Sequence, residues 1–226
     1  TLTLNGGGAS GSSFSVNNAA TLAFNNNYTL NTGAALNGTG VYQLTGGTLN
    51  VAGNSVCNAV FNHNGGTLGG AGTFTANNVY NWLSGVMSGS GVTLIPAAAT
   101  LNLTTNGSKT LDTRTLNNAG AALMNSTGFL GLANNAILNN QAGALFEMQT
   151  AGGISVSGNI TPVAFNNQGI VRKTAAGDTN ISVAFNNSNQ VEITAGENRG
   201  TTVEYRNVVL AAERIAAITF TNKAAA

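Results

Sequence analysis

The sequence predicts an all-β chain wound into a single-stranded parallel β-helix, or β-solenoid, with about 19–20 residues in each coil. Three observations predict this fold class. The 226 residues include 35 asparagines, 30 glycines and 28 threonines, which favour strands and turns over helices. Short segments of alternating apolar and polar residues recur at a nearly constant spacing. Only 7% of the residues are charged, where about 25% is usual.

The spacing is clearest in three blocks that open on an aromatic residue, contain a glycine four or five places later and close on an apolar residue. These blocks are Tyr42–Leu49, Phe61–Leu68 and Tyr80–Met87, and their aromatic residues are 19 apart. Upstream, Phe24 precedes Tyr42 by nearly the same spacing. Downstream, the same position is assigned to residues that precede an Asn-Asn pair, namely Leu116, Leu138, Phe165 and Phe185. The gap between Leu138 and Phe165 is longer than the others, which predicts either an insertion in that coil or a slip in the assigned register.

Each coil is expected to contain three short strands and three corners, with every strand paired to its counterpart one coil later at about 4.8 Å. Equivalent residues then stack along the rod. The recurring aromatic or leucine position predicts an interior ladder, and paired asparagines predict corner ladders whose amides hydrogen-bond from coil to coil. The pairs are Asn17-Asn18, Asn25-Asn26, Asn77-Asn78, Asn117-Asn118, Asn139-Asn140, Asn166-Asn167 and Asn186-Asn187.

The scarcity of charge agrees with stacking, because like charges would face each other on every rung, whereas Asn, Ser and Thr can donate and accept hydrogen bonds at once. The chain has 8 Lys and Arg against 7 Asp and Glu, and Lys109 is the first charged residue. With a net charge of +1 and no basic cluster, nucleic acid is not an expected partner. No apolar run reaches the ~18 residues of a membrane-spanning helix, so no membrane span is expected.

Two regions are expected: a solenoid repeat domain over 1–195 and a charged segment over 196–226 that forms a cap or a terminal coil. Seven charged residues lie near the C-terminus, where alanine replaces asparagine. Residues 208–218 have the apolar spacing of a short amphipathic capping helix, whereas residues 217–222 alternate like one more strand. Both alternatives stay open at this point.

Three segments of the repeat region resemble a known class of proteins. Thr110–Gly120, Asn139–Gln149 and Ala164–Lys173 resemble the Gly/Asn-rich repeats of large bacterial surface adhesins of the filamentous-haemagglutinin and autotransporter-passenger type. The resemblance covers about residues 20–195. It implies a right-handed β-helix that serves as a stalk or passenger at the bacterial cell surface or outside the cell.

The C-terminal segment 214–226 resembles a segment of superfamily-one DNA helicases that contacts single-stranded DNA. A helicase needs a phosphate-binding G-x-x-x-x-G-K-[ST] loop. This sequence contains no such loop, so helicase activity is excluded.

The remaining motifs give no support for a cofactor or a metal. Gly6–Gly11 matches a dinucleotide-binding fingerprint, but no helix-forming stretch follows it. Gly69–Phe74 has Phe where a calcium-binding repeat has Asp. One histidine and one cysteine cannot supply the three or four ligands of a zinc site. We therefore expect no cofactor and no metal, with Cys57 buried as a small apolar residue and His63 at a corner or on the surface.

For catalysis the chain offers few candidates. Asp112 and Arg114 are two residues apart, which predicts a shared strand face and a local ion pair, with Lys109 nearby. Glu147 is the one carboxylate that could approach them from later coils. Asp112, Arg114 and Glu147 are therefore the candidate catalytic residues of a polysaccharide-active hydrolase or lyase, although the sequence favours a protein that is not an enzyme.

The sequence favours a structural or adhesive segment of a secreted or cell-surface bacterial protein, with a surface glycan or matrix as partner. One alternative is a carbohydrate-binding or carbohydrate-active β-helix. Another is an ice-binding solenoid, because Thr-x-Thr elements occur at Thr1, Thr73 and Thr113, but ice binding requires outward threonines to stack on one face. Unpaired strand edges in the first coil also predict end-to-end self-association.

Overall fold

In the computed structural model, residues 1–158 and 162–195 are described, together with the backbone of the short strands 206–208 and 218–219. The described chain consists of strands, turns and bends. The strands of the first half are β1 (Leu2–Leu4), β2 (Gly8–Ser10), β3 (Ser13–Val16), β4 (Thr21–Phe24), β5 (Tyr28–Leu30), β6 (Ala35–Gly38), β7 (Val41–Leu44), β8 (Thr48–Val51), β9 (Ser55–Cys57), β10 (Val60–His63), β11 (Thr67–Gly69), β12 (Thr73–Ala76), β13 (Val79–Trp82), β14 (Gly85–Met87) and β15 (Val92–Ile95).

The strands of the second half complete the series. They are β16 (Thr100–Thr104), β17 (Lys109–Asp112), β18 (Thr115–Asn118), β19 (Ala121–Asn125), β20 (Leu130–Ala133), β21 (Ile137–Asn140), β22 (Leu145–Met148), β23 (Ile154–Val156), β24 (Ala164–Asn167), β25 (Ile170–Lys173), β26 (Asn180–Ile181), β27 (Ala184–Asn187), β28 (Gln190–Ile193), β29 (Arg206–Val208) and β30 (Ile218–Thr219).

From β1 to β28 every third strand belongs to the same parallel sheet, which confirms the predicted β-solenoid with three strands per coil. Sheet A runs from β1 to β28, sheet B from β2 to β26 and sheet C from β3 to β27. Strands β29 and β30 pair antiparallel with β28 and β26, at the C-terminal ends of sheets A and B. Among the described residues, no helix has the length and apolarity needed to cross a membrane.

The solenoid makes about nine turns of about 21 residues, slightly more than the predicted 19–20. The predicted offset of 19 is correct for Tyr42, Phe61 and Tyr80, which are register partners in sheet A. Later coils are longer, as in the step from Phe146 to its partner Val171. The predicted insertion before Phe165 is confirmed, because Phe165 pairs with Leu138 at the other end of the long gap.

Two register assignments from the sequence are wrong. Phe24 pairs with Leu44, and it is Leu22 that pairs with Tyr42. Leu22 and Phe24 are both buried. The aromatic Phe24 therefore fits the sequence pattern as well as Leu22, which occupies the repeat position two residues earlier. The residues that precede the Asn-Asn pairs share the position of Tyr42 in the sequence-based assignment, but they lie in sheet C, whereas Tyr42 lies in sheet A. These residues are Leu116, Leu138, Phe165 and Phe185.

The core is a stack of inward ladders, as predicted. Phe165 and Phe185 are ladder partners in sheet C, and Phe146 of sheet A meets Phe165 across the same coil; the ring centroids are 5.1 Å apart in both contacts, and all three rings are buried. Phe61 and Tyr80 repeat this 5.1 Å contact in the first half of the chain. These contacts run both from coil to coil and across one coil, and the buried residues from Val16 to Val191 form one continuous core cluster along the rod.

The predicted capping helix over 208–218 lies largely outside the described residues. The alternative prediction was a strand within residues 217–222. Residues Ile218–Thr219 of this segment form strand β30. The segment 214–226 that resembles a helicase is otherwise outside the described residues.

Candidate functional site

Asp112 ends β17 in sheet B, with its side chain half-buried on the outer face. Its carboxylate accepts hydrogen bonds from Thr113 Oγ1 at 3.0 Å and from Asn134 Nδ2 at 2.8 Å. Both donors are neutral; Thr113 belongs to the same coil as Asp112, and Asn134 belongs to the next coil. Asp112 therefore fixes the corner between sheets B and C, and no cation contributes to its described contacts.

Arg114 does not share a face with Asp112, and the predicted ion pair does not form. Thr113 between them has φ +61°, a left-handed corner that turns the chain inward, so the Arg114 side chain is fully buried. Its five N–H donors all find acceptors: Nε donates to Thr93 Oγ1, and the two terminal nitrogens donate to the carbonyls of Gly70, Gly72, Ser88 and Val92 at 2.9–3.2 Å. Burial lowers the pKa of this guanidinium to about 10, so it is charged at neutral pH.

Lys109 is a second buried cation, and it too faces away from Asp112. Its Nζ donates to the carbonyl oxygens of Thr105 at 2.7 Å and Gly107 at 3.0 Å, in the corner that precedes β17. Burial lowers its pKa to about 8. Lys109 and Arg114 thus hold neighbouring corners together from inside, and neither is available to a substrate.

Glu147 lies in β22 of sheet A, on the outer face. Its neighbours on the ladder are Leu123 and Arg172, and Arg172 pairs with Glu192 on the following coil at 2.5 Å. The three candidate catalytic residues are therefore apart: Asp112 is outside sheet B, Arg114 is inside the core, and Glu147 is outside sheet A. Within the described residues there is also no group of three or more His, Cys, Asp or Glu able to hold a metal ion.

His63 was expected at a corner or on the surface, and this prediction is wrong. It occupies an inward position of sheet A and is fully buried. Its ring lies parallel to Trp82 on the next coil, with centroids 6.0 Å apart, and Nδ1 lies 3.0 Å from the Tyr80 hydroxyl. Nε2 lies 3.3 Å from the Gly66 carbonyl, which can only accept, so the neutral ring carries its proton on Nε2. Burial lowers the pKa of His63 to about 4.

Cys57 is buried, as predicted, and its Sγ donates to the Ala59 carbonyl at 3.4 Å. Burial raises its pKa to about 12, so the reactive thiolate is scarce. We expect the folded protein to release no thionitrobenzoate from Ellman's reagent at about pH 8, and one equivalent after unfolding in guanidinium, since the chain has one cysteine. One equivalent released within minutes from the folded protein would contradict the burial of Cys57.

The predicted asparagine ladders are confirmed for four of the seven pairs, which end strands β18, β21, β24 and β27 of sheet C and divide between the two faces. The other three pairs lie in turns after β3, β4 and β12. There Asn25 and Asn77 donate from Nδ2 to the Oδ1 of a single asparagine on the preceding coil, Asn5 at 2.9 Å and Asn58 at 2.7 Å. The outer ladder joins the later coil's Nδ2 to the earlier coil's Oδ1 at 2.8–2.9 Å. Its residues are Asn117, Asn139, Asn166 and Asn186. Each residue in the middle of this ladder bonds to both neighbours, which leaves one N–H and acceptor capacity free on its amide.

The inner ladder is buried and runs in the opposite hydrogen-bond direction. Here the earlier coil's Nδ2 donates to the later coil's Oδ1, at 2.6–2.8 Å. Its residues are Asn118, Asn140, Asn167 and Asn187. The same nitrogens also donate to backbone carbonyls of the following coil, for example Asn140 to Ile170 at 3.1 Å. The inner ladder therefore joins the coils, whereas the outer ladder presents amides to solvent.

A surface cavity of about 240 Å³ lies beside the outer ladder. It is lined only by side-chain amide residues: Asn139, Asn140, Gln141, Asn166 and Gln168. The sequence motifs did not predict this cavity. The feature of the chain that indicates the cavity is the length of its corners. Four residues, 141–144, separate β21 from β22, whereas two residues separate β24 from β25.

In the described part of the chain, residues 1–158 and 162–195, outward threonines do not form one continuous face. Thr48 stacks on Thr67, but Val86 takes the next position of that ladder in sheet B. In sheet C, Thr73 is followed by Val92. The flat threonine array that an ice-binding surface requires is interrupted in both ladders.

Comparison with known proteins gives no relative: no protein-family model, no curated protein and no solved structure matches this chain.

Proposed function

We propose that this chain is a rigid structural and adhesive segment of a secreted or cell-surface protein, which makes contact through its neutral outer ladders. The observation that carries the proposal is the combination of three continuous parallel sheets with outer rungs of side-chain amides. Asn62, Asn81 and Asn102 form such a rung series on sheet A, with hydrogen bonds of 2.8 Å at both steps. The resemblance of the repeats to bacterial adhesins supports the same role.

Rigidity follows from the way each coil is held. Every coil pairs with the next along three sheets, and buried asparagines add side-chain hydrogen bonds between coils. A segment built in this way holds a binding surface at a fixed distance from its attachment point. Where charges do stack, their signs alternate, as in Glu147, Arg172 and Glu192, so that neighbouring rungs do not repel each other.

Adhesion by neutral amides has a measurable signature. Beads coated with the folded chain should adhere to a polysaccharide or extracellular-matrix surface, with adhesion changing less than about twofold between about 0.05 and 1 M NaCl, because salt screens charges but not neutral hydrogen bonds. Beads coated with the heat-unfolded chain are the matched control. Adhesion no greater than that control, or adhesion abolished by salt, would contradict the proposal.

An enzymatic role is not what the geometry favours. A glycoside hydrolase typically needs two carboxyl groups within about 10 Å on either side of the bond that it cleaves. Asp112 and Glu147 lie on different sheets, and Arg114 is enclosed in the core. The candidate set that the sequence offered is therefore not assembled into one site.

A further inference from the structure

We propose that the amide-lined cavity beside residues 141–144, here called the amide cavity, binds a neutral saccharide. The inference rests on the proposed adhesive function and names the ligand class and the place of contact. The cavity is lined by Asn139, Asn140, Gln141, Asn166 and Gln168.

The shape of the amide cavity comes from a step between neighbouring corners. The corner 141–144 is two residues longer than the corner that follows one coil later, Gln168-Gly169. The longer corner 141–144 projects from the surface, since a Cβ placed on Gly143 would meet nothing within 4 Å. The long corner forms one wall, and the short corner leaves the space next to it open.

Hydrogen-bonding groups in the amide cavity remain available to a ligand. The described hydrogen bonds of Gln141 and Gln168 use their backbone groups, so both side-chain amides are free to bind. Asn139 and Asn166 bond to each other at 2.9 Å, and each keeps further donor or acceptor capacity. Asn140 forms the buried floor, where its position is fixed by the inner ladder.

The chemistry of the lining selects for neutral hydroxyl groups. A side-chain amide donates and accepts hydrogen bonds at once, as a sugar hydroxyl does, and two neighbouring hydroxyls suit its N–H and C=O together. No lining residue is charged, so a phosphate, carboxylate or ammonium group would lose hydration without meeting an opposite charge. On the same outer face of β21, Ile137 is 37% exposed and offers an apolar contact for the C–H face of a sugar ring.

The size of the amide cavity limits what it holds. A volume of about 240 Å³ is below the range of about 300–1,000 Å³ typical of drug-sized ligands, so the cavity accommodates about one ring, with the rest of a chain lying along the surface. Few contacts and an open site predict weak binding, with a Kd of the order of 1 mM for a single copy. Multiple copies on a cell surface would raise the effective affinity through multivalency.

The test uses calorimetry and NMR titration of the folded 226-residue chain with three neutral oligosaccharides: cellohexaose, maltohexaose and chitohexaose. An oligogalacturonate of the same length serves as the anionic counterpart. We expect at least one neutral probe to bind at about 1 mM and to shift the side-chain amide signals of Gln141 and Gln168, while the anionic probe binds at least tenfold more weakly. The double variant Gln141→Ala/Gln168→Ala should lose at least tenfold in affinity, and Gln43→Ala on sheet A should not change it.

Absence of binding by all three neutral probes, or unchanged affinity in the double variant, would overturn the proposal. Both glutamines lie at the surface without described side-chain bonds to the protein, so the double variant should keep the wild-type melting temperature, which is checked first. Bead adhesion by a chain that binds no neutral probe would refute the amide cavity and leave the adhesive function standing. Failure of adhesion by the folded chain would refute the adhesive function itself.

Discussion

Replacing Arg114 by Met should lower the free energy of unfolding by about 3–5 kcal/mol, because several buried acceptors lose their donor together. Methionine fills part of the volume but donates nothing, so Thr93 and four carbonyl groups lose a partner at once. These acceptors lie on earlier coils, from Gly70 to Thr93, so the loss loosens contact between coils as well as the corner itself. The carbonyls of Gly70 and Gly72 keep the backbone N–H donors of Gly91 and Val92, so the cost falls mainly on the other acceptors. A buried polar group left without any partner costs about 1–3 kcal/mol when it cannot reach water.

The measurement is urea unfolding followed by fluorescence of Trp82, the single tryptophan, which is buried two residues after Tyr80 in the same region. The matched control is Arg172→Met, because Arg172 is on the outer face, keeps about a third of its side-chain area exposed, and has one carboxylate partner. An exposed pair of this kind contributes about 1 kcal/mol or less. Equal effects of the two substitutions, or an Arg114→Met change below about 1 kcal/mol, would contradict the buried role of Arg114.

Acid should destabilise the folded chain through His63, which is the single histidine of the sequence. Burial lowers the pKa of His63 from 6.5 to about 4, so between these values the unfolded state binds the proton more strongly than the folded state. The stability that this residue contributes is complete above about pH 6.5, falls as the pH drops, and levels off below about pH 4. The shift corresponds to about 3 kcal/mol in total.

The measurement is the free energy of unfolding at steps between about pH 7 and pH 4, for the wild type and for His63→Leu. Leucine is a suitable replacement because Leu44 and Leu103 occupy the same inward ladder. Carboxylates titrate in both proteins, so the difference between the two slopes isolates His63. Between these pH values, we expect the free energy of unfolding of the variant to fall by about 3 kcal/mol less than that of the wild type, whatever the stability of the variant at neutral pH. Parallel pH profiles would show that His63 is not buried as a neutral ring.

The repeat could be predicted from the sequence because stacking requires the same side-chain class at the same place in each coil. Tyr42, Phe61 and Tyr80 satisfy that requirement with a constant spacing, and their register was correct. The asparagine pairs were recognised for the same reason. Phe24 was misplaced because inward positions alternate with a period of two, so that two residues in one strand fit the same pattern.

The buried polar residues could not be predicted from spacing. His63 lies between two asparagines in the sequence, and only its pairing with Trp82 on the next coil shows that it points inward. Arg114 is inward because Thr113 adopts a positive φ, and threonine gives no sign of such a corner, whereas glycine would. The amide cavity depends on the relative lengths of two corners, which becomes visible only after the coils are placed in register.

The stacking of coils in register is the central claim, and cross-linking by cysteine tests it most directly. Asn139 and Asn166 are register partners on one outer face, and adjacent strands lie about 4.8 Å apart, within the Cα range of about 4.4–6.8 Å for a disulfide. In a Cys57→Ala background, the pair Asn139→Cys/Asn166→Cys should form a disulfide under mild oxidation, whereas Asn139→Cys/Asn167→Cys should not, because Asn167 points into the core. Cross-linking of the second pair in preference to the first would contradict the register and the solenoid built on it.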